Sequence, residues 1–293
     1  MNNNYINFKQ KRDLGTTISD TFGFIRNEYK TIFRLYFRHV GIVLLLLVAA
    51  TTYSQYQSLS LTSNAQLGND INVLQEYLPN FGIALIAMIV LSILYYALSF
   101  CTISGIIKSY VNNNGKINDD EVRNTVNQNY LKISGIVLLI GLILGIGFML
   151  CFLPGIYLMI PFSLVIYIMI FQNKGFSDAV SESFQLIKNN WWITFATLLV
   201  IGILISVISS VFQLPAMILT GIETFTAIES GDSSMFKETG VRLLYLVFSV
   251  IANLAQHILS LVTIIAISFI YFNLNEVHNK TGTLEDIDQI GNS

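Results

Sequence analysis

The chain has 293 residues, 53% of them hydrophobic and 12% charged, against about 25% charge in an ordinary soluble domain. A mean hydropathy of +0.61 leaves more apolar surface than one soluble core can hide. The formal net charge is −2, and the basic residues abut uncharged apolar stretches, so a nucleic-acid binder is excluded. The composition is that of an all-α, polytopic transmembrane helical bundle.

Residues 1–13 are rich in Asn and Lys and are expected to be a disordered N-terminus. From Leu14 an apolar stripe (Leu14, Ile18, Phe22, Ile25, Tyr29, Ile32, Tyr36) recurs at helical spacing. A second stripe, Arg26, Lys30, Arg34 and Arg38, recurs every four residues on another face. This predicts an amphipathic helix lying along the inner membrane surface and leading into span 1, near 37–56. The basic stripe is a candidate grip on anionic lipid phosphates, each charge contributing about 1 kcal/mol near the surface. It is equally read as the positive charge that keeps this end inside.

Charge-free stretches mark the spans, each needing about 20 predominantly apolar residues. Span 2 is expected at 80–106. Asn112-Asn113-Asn114-Gly115 reads as a turn, and Asn118, followed by Asp119, Asp120 and Glu121, as a helix N-cap. The uncharged run 133–173 holds spans 3 and 4 (133–153, 156–172), divided by Leu153-Pro154-Gly155. Pro161 should kink span 4 or set its outer end. Ser177 reads as the N-cap of an inside helix at 178–190, and Trp191-Trp192 as an interface marker before span 5. Span 5 runs to about 214, where Pro215 should end or bend it, and span 6 covers 243–271.

That gives six spans in one membrane domain, 14–275, with a tail at 276–293. Fourteen Lys and Arg residues then fall on the inner side, and Lys237 and Arg242 on the outer. The bias places both termini in the cytoplasm, with the chain in the inner membrane of a bacterial cell. No cleavable signal peptide is visible. Cys101 and Cys151 fall near opposite faces, so no disulfide and no metal site is expected.

The segment Ile18–Asn27 resembles Val180–Asn189 at an offset of 162 residues, and Tyr29 and Phe33 match Trp191 and Phe195. A fainter copy lies at Val122, Val126, Tyr130 and Ile133. The pattern predicts three units (14–107, 118–172, 176–273), each a surface helix followed by a two-span hairpin. Duplication explains it, and so does convergence of amphipathic helices entering a membrane.

Leu153-Pro154-Gly155-Ile156-Tyr157, Pro161, and Gly175-Phe176-Ser177-Asp178-Ala179-Val180 through Ser183–Trp192 resemble a broad group of bacterial six-span proteins. The group includes the YciC-like proteins and the membrane domain found beside glycerophosphodiester phosphodiesterases. Lys11-Arg12-Asp13-Leu14-Gly15 and Tyr271–Glu276 resemble an uncharacterised Bacteroidetes subset. In the phosphodiesterase fusions hydrolysis belongs to a separate soluble domain, so the resemblance implies a membrane fold without that activity.

Span 6 carries a polar seam, Ser249, Asn253, Gln256, His257 and Ser260, and span 5 carries Ser206, Ser209, Ser210 and Gln213. Polar groups in a span must face the bundle interior. Ser206, Ser210, Gln213, Asn253 and His257 are therefore candidates to line a cavity for a headgroup, ion or small solute. The alternative is interhelical hydrogen bonding, about 0.6 kcal/mol per contact. Gly141 and Gly145 form a Gly-x-x-x-Gly pattern, which predicts close helix packing. No Asp, Glu, Lys or Arg is expected deep in a span, and HExxH, Walker-type loops and Cys clusters are missing from the sequence. The function expected is that of a noncatalytic membrane component without cofactor, organising lipids or partner proteins. The alternatives are a transporter or lipid-handling protein with a cavity between spans 5 and 6, and more distantly an intramembrane enzyme.

Overall fold

The structure is a computed structural model that describes residues 5–64, 71–230 and 239–284. Its described residues form seven main α-helices and no strand: α1 (Leu14–Asn64), α2 (Ile71–Asn112), α3 (Asp119–Leu150), α4 (Phe152–Gln172), α5 (Phe176–Ile187), α6 (Trp191–Ser230) and α7 (Thr239–Asn279). A short turn of helix follows at 281–284. Six of the seven, all but α5, are long and apolar enough to cross a membrane. Several are longer than a crossing needs: α1 has 51 residues, roughly 76 Å of helix at 1.5 Å per residue, where the hydrocarbon is about 30 Å thick.

Helix ends follow local chemistry. Asn118 is extended (φ −98°) and its side chain accepts from Asp120 N–H at 2.9 Å, the expected cap. α2 closes through Asn114 (φ 49°) and Gly115 (φ 93°), with Gly115 N–H donating to Tyr110 O at 2.8 Å. α4 ends in left-handed Asn173 (φ 54°). Lys108 Nζ donates to Ile170 O at 3.1 Å, placing a cation on the last carbonyls of α4. Asp13, unforeseen as a cap, accepts from Thr16 N–H at 2.7 Å and starts α1.

Other expected boundaries move. Ser177 is not a cap: Gly175 precedes α5, without a side-chain cap bond. Pro215 does not end span 5, because α6 runs through it to Ser230. The α3–α4 break falls at extended Cys151 (φ −165°, ψ 140°), leaving Leu153-Pro154-Gly155 in the first turns of α4. Proline is tolerated there because first-turn N–H groups have no helical partner. Pro161 lies inside α4. Gly141 and Gly145 have open space where a Cβ would stand; helices α3 and α4 come together instead at Gly147, where an added Cβ would lie 3.4 Å from Gly155 Cα.

The chain divides into two compact units. The first contains 5–41, 96–204 and 261–284; the second contains 42–64, 71–95, 205–230 and 239–260. In the first unit α4 is the hub. Ile160, Leu164, Tyr167 and Ile168 are fully buried, Tyr167 Oη donates to Ile264 O at 2.5 Å, and Phe171 packs on Tyr271 and Phe272. Cys101, Ile106 and Ile107 of α2 and Ala266 and Phe269 of α7 complete the core.

Residues 5–13 are not the disordered lead expected. Phe8 is fully buried, stacked on Phe269 (4.2 Å) and edge-on to Phe24 (5.2 Å). Arg12 N–H donates to Asn273 Oδ1 at 2.8 Å, and its guanidinium meets Asp20 at 2.8 Å. Thus an N-terminal strap closes over α1 and α7. At the other terminus, Glu276 accepts from Gly282 N–H (2.7 Å) and from Thr283 Oγ1 (2.6 Å) and N–H (3.1 Å), folding 281–284 back on α7.

The path of α5 also departs from expectation. It doubles back along α4: Gln172 and Lys174 meet Glu182 (2.7 and 2.5 Å), and further along Phe162 and Tyr157 meet Phe184. Trp191 therefore stacks on Tyr157 at 5.9 Å, and its Nε1–H reaches Tyr157 O at 3.3 Å. The expected topology, with span 4 between them, sets these two residues at opposite membrane faces.

Candidate functional site

Two places collect the chemistry the sequence singled out. The larger lies in the first unit, at the fold-back. Leu153, Ile156, Tyr157, Lys188, Asn189, Trp191, Trp192 and Ile193 line a pocket of about 620 Å³. Its position follows from the chain path: α4 supplies an apolar wall, and the turn between α5 and α6 delivers Lys188 and Asn189 beside it. Trp191 is held in a ring stack with Tyr157 and Phe195 (5.9 and 5.3 Å). Trp192, edge-on to Trp191, is 76% exposed. Indole rings favour the boundary between hydrocarbon and headgroups, with an apolar body and one polar N–H. A rigid aromatic wall, aliphatic neighbours and one cation give this pocket an acyl-chain side and an anion side.

The smaller site, about 200 Å³, is a groove in the second unit lined by Gln55, Gln213, Ala216, Met217, Thr220, Tyr245, Ser249, Ala252, Asn253 and Gln256. The structure divides the predicted cavity set here. Gln213 and Asn253 do line it. Ser206 and Ser210 are exposed, with Ser210 Oγ turned to Val207 O (2.8 Å). His257 is half-buried outside the lining, its ring 4.6 Å from Tyr95, while Tyr95 Oη donates to His257 O at 2.9 Å.

The inward face of α6 steps 4-3-4-3 through Ser209, Gln213, Ala216, Thr220 and Glu223. Ser209 and Glu223 are 7% exposed. α7 answers with Tyr245, Ser249, Ala252 and Gln256 at steps of 4-3-4. Carried past Pro215, the 3.5-residue period leads to Thr220 and Glu223 and leaves Ser206 and Ser210 off this face. Gln55, from α1, had no signal in the sequence. Glu223, which the expected topology puts in a loop after span 5, is buried near the end of the helix Trp191–Thr226. Its Oε2, Ser209 Oγ and Gln55 Oε1 are buried with no hydrogen-bond partner among the described residues. A buried polar atom left unmatched costs about 1–3 kcal/mol.

The lipid-phosphate candidates are split. Arg34 and Arg38 both bind Asp119, at 2.8 and 3.1 Å, with about half of each side chain exposed. Arg26 and Lys30 are exposed, Lys30 Nζ lying 5.8 Å over the Tyr29 ring.

Residues 141–285 match a family model described as the membrane domain of glycerophosphoryl diester phosphodiesterase. The matched segment is similar to that membrane domain. No curated protein and no solved structure matches the chain. The matched segment contains all eight lining residues of the Trp191 pocket, and the α6 and α7 walls of the groove, but not Gln55.

Proposed function

We propose that this multi-pass membrane protein is a noncatalytic component that organises phospholipids, on its own or for a partner protein. The observation that carries the reading is the Trp191 pocket. Acyl carbons lie against Leu153, Ile156 and Ile193, burying apolar area at about 25 cal/mol per Å². Lys188 faces the phosphate, and Trp192 flanks the glycerol region. The matched family is named for glycerophosphoryl diesters, whose phosphodiester carries the anionic charge that Lys188 would meet.

Extraction from native membranes in polymer nanodiscs, followed by mass spectrometry of bound lipids, tests this. Anionic phospholipid should be enriched over the bulk membrane, and Lys188→Glu or Trp192→Ala should cut that enrichment several-fold. A wild-type lipid profile equal to bulk membrane would refute the reading. We further place both termini in the cytoplasm of a bacterial cell, from the Lys and Arg distribution. A reporter active only in the cytoplasm, fused after Gly115, should give signal; a silent fusion whose periplasmic counterpart is active would reverse the orientation.

A further inference from the structure

We propose that a pocket beside the N-terminal strap binds an ethanolamine-type zwitterion, a primary ammonium joined to a phosphodiester, as an aminophospholipid headgroup or as the same group free. The proposal concerns the first unit alone and rests on neither Lys188 nor Trp192. The pocket, about 380 Å³, lies where residues 11–14 of the strap meet the first turns of α6 and the last turns of α7. That volume falls within the range of about 300–1,000 Å³ usual for small-molecule sites.

Its available charges come as one of each sign. Lys11 and Asp13 line the pocket, two residues apart on the strap, and both are exposed. Neither forms an ion pair among the described residues, with the other or with a third group. Asp13 Oδ1 accepts from Thr16 N–H, which leaves its second oxygen for a ligand. Arg12 also lines the pocket, but its guanidinium meets Asp20 at 2.8 Å and donates to the carbonyls of Asn7, Phe8 and Gln10. Glu276, beside the lining residue Val277, is engaged by Gly282 and Thr283. Lys188 belongs to the neighbouring Trp191 pocket, which shares Ile193 with this one and has no carboxylate in its lining. A simple anion here would meet Asp13 as a like charge, and a simple cation would meet Lys11. A ligand carrying one charge of each sign suits both.

Polar groups with nothing to bind are the second feature. Thr194 is 3% exposed and lines the pocket, and its Oγ1 has no hydrogen-bond partner among the described residues. Thr17 and Thr197, by contrast, each donate to the carbonyl four residues back, at 2.7 Å. Asn273 uses Oδ1 for Arg12 N–H, which leaves its Nδ2 to donate. The Asn190 side-chain amide has no partner among the described residues. Asn190 directly precedes α6, so the first N–H groups of that helix and the positive end of its dipole fall here. Lys11, the two amides and the helix end match phosphate oxygens. Asp13 and the Thr194 hydroxyl match an ammonium, which offers N–H donors that a trimethylammonium lacks. Ile193 and Val277, both exposed, border the pocket and give acyl chains an apolar exit.

The test is thermal unfolding of the full-length protein in detergent, titrated with dihexanoyl phosphatidylethanolamine, phosphatidylcholine or phosphatidylglycerol. A fourth arm uses 2-aminoethyl methyl phosphate, the headgroup without chains. The ethanolamine lipid should raise Tm saturably, with an apparent affinity about tenfold or more above that of the choline and glycerol lipids, the scale of one hydrogen bond to a charged group. A free ester that matches it supports a soluble zwitterion as the source; a response to the lipid alone supports the bilayer. Lys11→Gln and Asp13→Asn should each weaken the ethanolamine response several-fold. Lys11 is exposed and asparagine caps a helix as well as aspartate does, so both variants should fold. Wild-type titrations that do not rank ethanolamine above choline and glycerol overturn the proposal, and this arm needs no variant. So do Lys11→Gln and Asp13→Asn proteins that respond as wild type. A glycerol lipid that binds most tightly, and is lost in Lys11→Gln but kept in Asp13→Asn, marks a plain anion site and equally overturns it.

Discussion

Replacing Arg12 with methionine is expected to destabilise the protein by about 3–5 kcal/mol, the range for breaking one side of a buried ion pair. The Arg12 side chain is fully buried. Its Nε donates to Asp20 Oδ2 at 2.8 Å, Nη1 to the carbonyls of Phe8 (2.8 Å) and Gln10 (3.3 Å), and Nη2 to that of Asn7. Its Cζ lies 4.8 Å over the Phe269 ring. Burial pulls the guanidinium's pKa down and Asp20 pushes it back up, so the group stays charged at working pH. Methionine keeps much of the volume but leaves three carbonyls and a carboxylate without their donor. Arg12→Lys should recover only part of the loss, because an ammonium cannot reproduce the planar fork. Unfolding in detergent followed by tryptophan fluorescence reads both variants. A methionine variant within about 1 kcal/mol of wild type, the scale of a surface ion pair, would show that the strap does not close as described.

That result bears on what the sequence could disclose. The six long apolar helices were legible because hydrocarbon imposes a length and a composition that few other structures share. The strap was not. Asn- and Lys-rich residues 1–13 look like solvated chain, and nothing local says that Phe8 docks on a helix more than 250 residues away. The α5 fold-back was hidden for a related reason: amphipathic spacing gives the helix but not the element it packs against. Phe184 falls in the expected inside helix 178–190, whereas its partners Tyr157 and Phe162 belong to an almost wholly apolar span.

The polar seam was half legible. Gln213 and Asn253 announce themselves as amides within apolar runs, so the reading found the two helices. It missed the face, because serine can satisfy its hydroxyl on its own helix, as Ser210 does with Val207 O. Counting serines therefore does not tell inward from outward. Thr17 and Ala179, Thr21 and Ser183, Phe24 and Leu186, Ile32 and Thr194, and Leu35 and Thr197 are buried in step at the offset of 162. Yet α1 is continuous where the second copy breaks at 188–190 into α5 and α6. Duplication and convergence both predict in-step burial. The break adds local sequence difference at the point where the fold-back is made.

Phe8→Ala is the second large expectation, about 3–5 kcal/mol lost, because a fully buried phenylalanine leaves both its transfer energy and a cavity. Phe8→Leu should cost less, since the leucine keeps most of the apolar volume. The comparison separates packing from anchoring. Phe8 and Arg12 share one ring, Phe269, at 4.2 and 4.8 Å, so truncating either loosens the other's seat. A Phe8→Ala, Arg12→Met double variant is therefore expected to lose clearly less than the sum of the two, a coupling of about 0.5–3 kcal/mol in a double-mutant cycle. Additive losses would mean that the ring stack and the guanidinium cluster hold the strap independently. The tail joins the same structure: a Cβ at Gly282 would collide with the Lys9 backbone carbonyl, and Glu276 holds that glycine's N–H. If the strap is released, the turn at 281–284 loses the surface it rests on, and its amides should exchange with solvent faster in Phe8→Ala than in wild type.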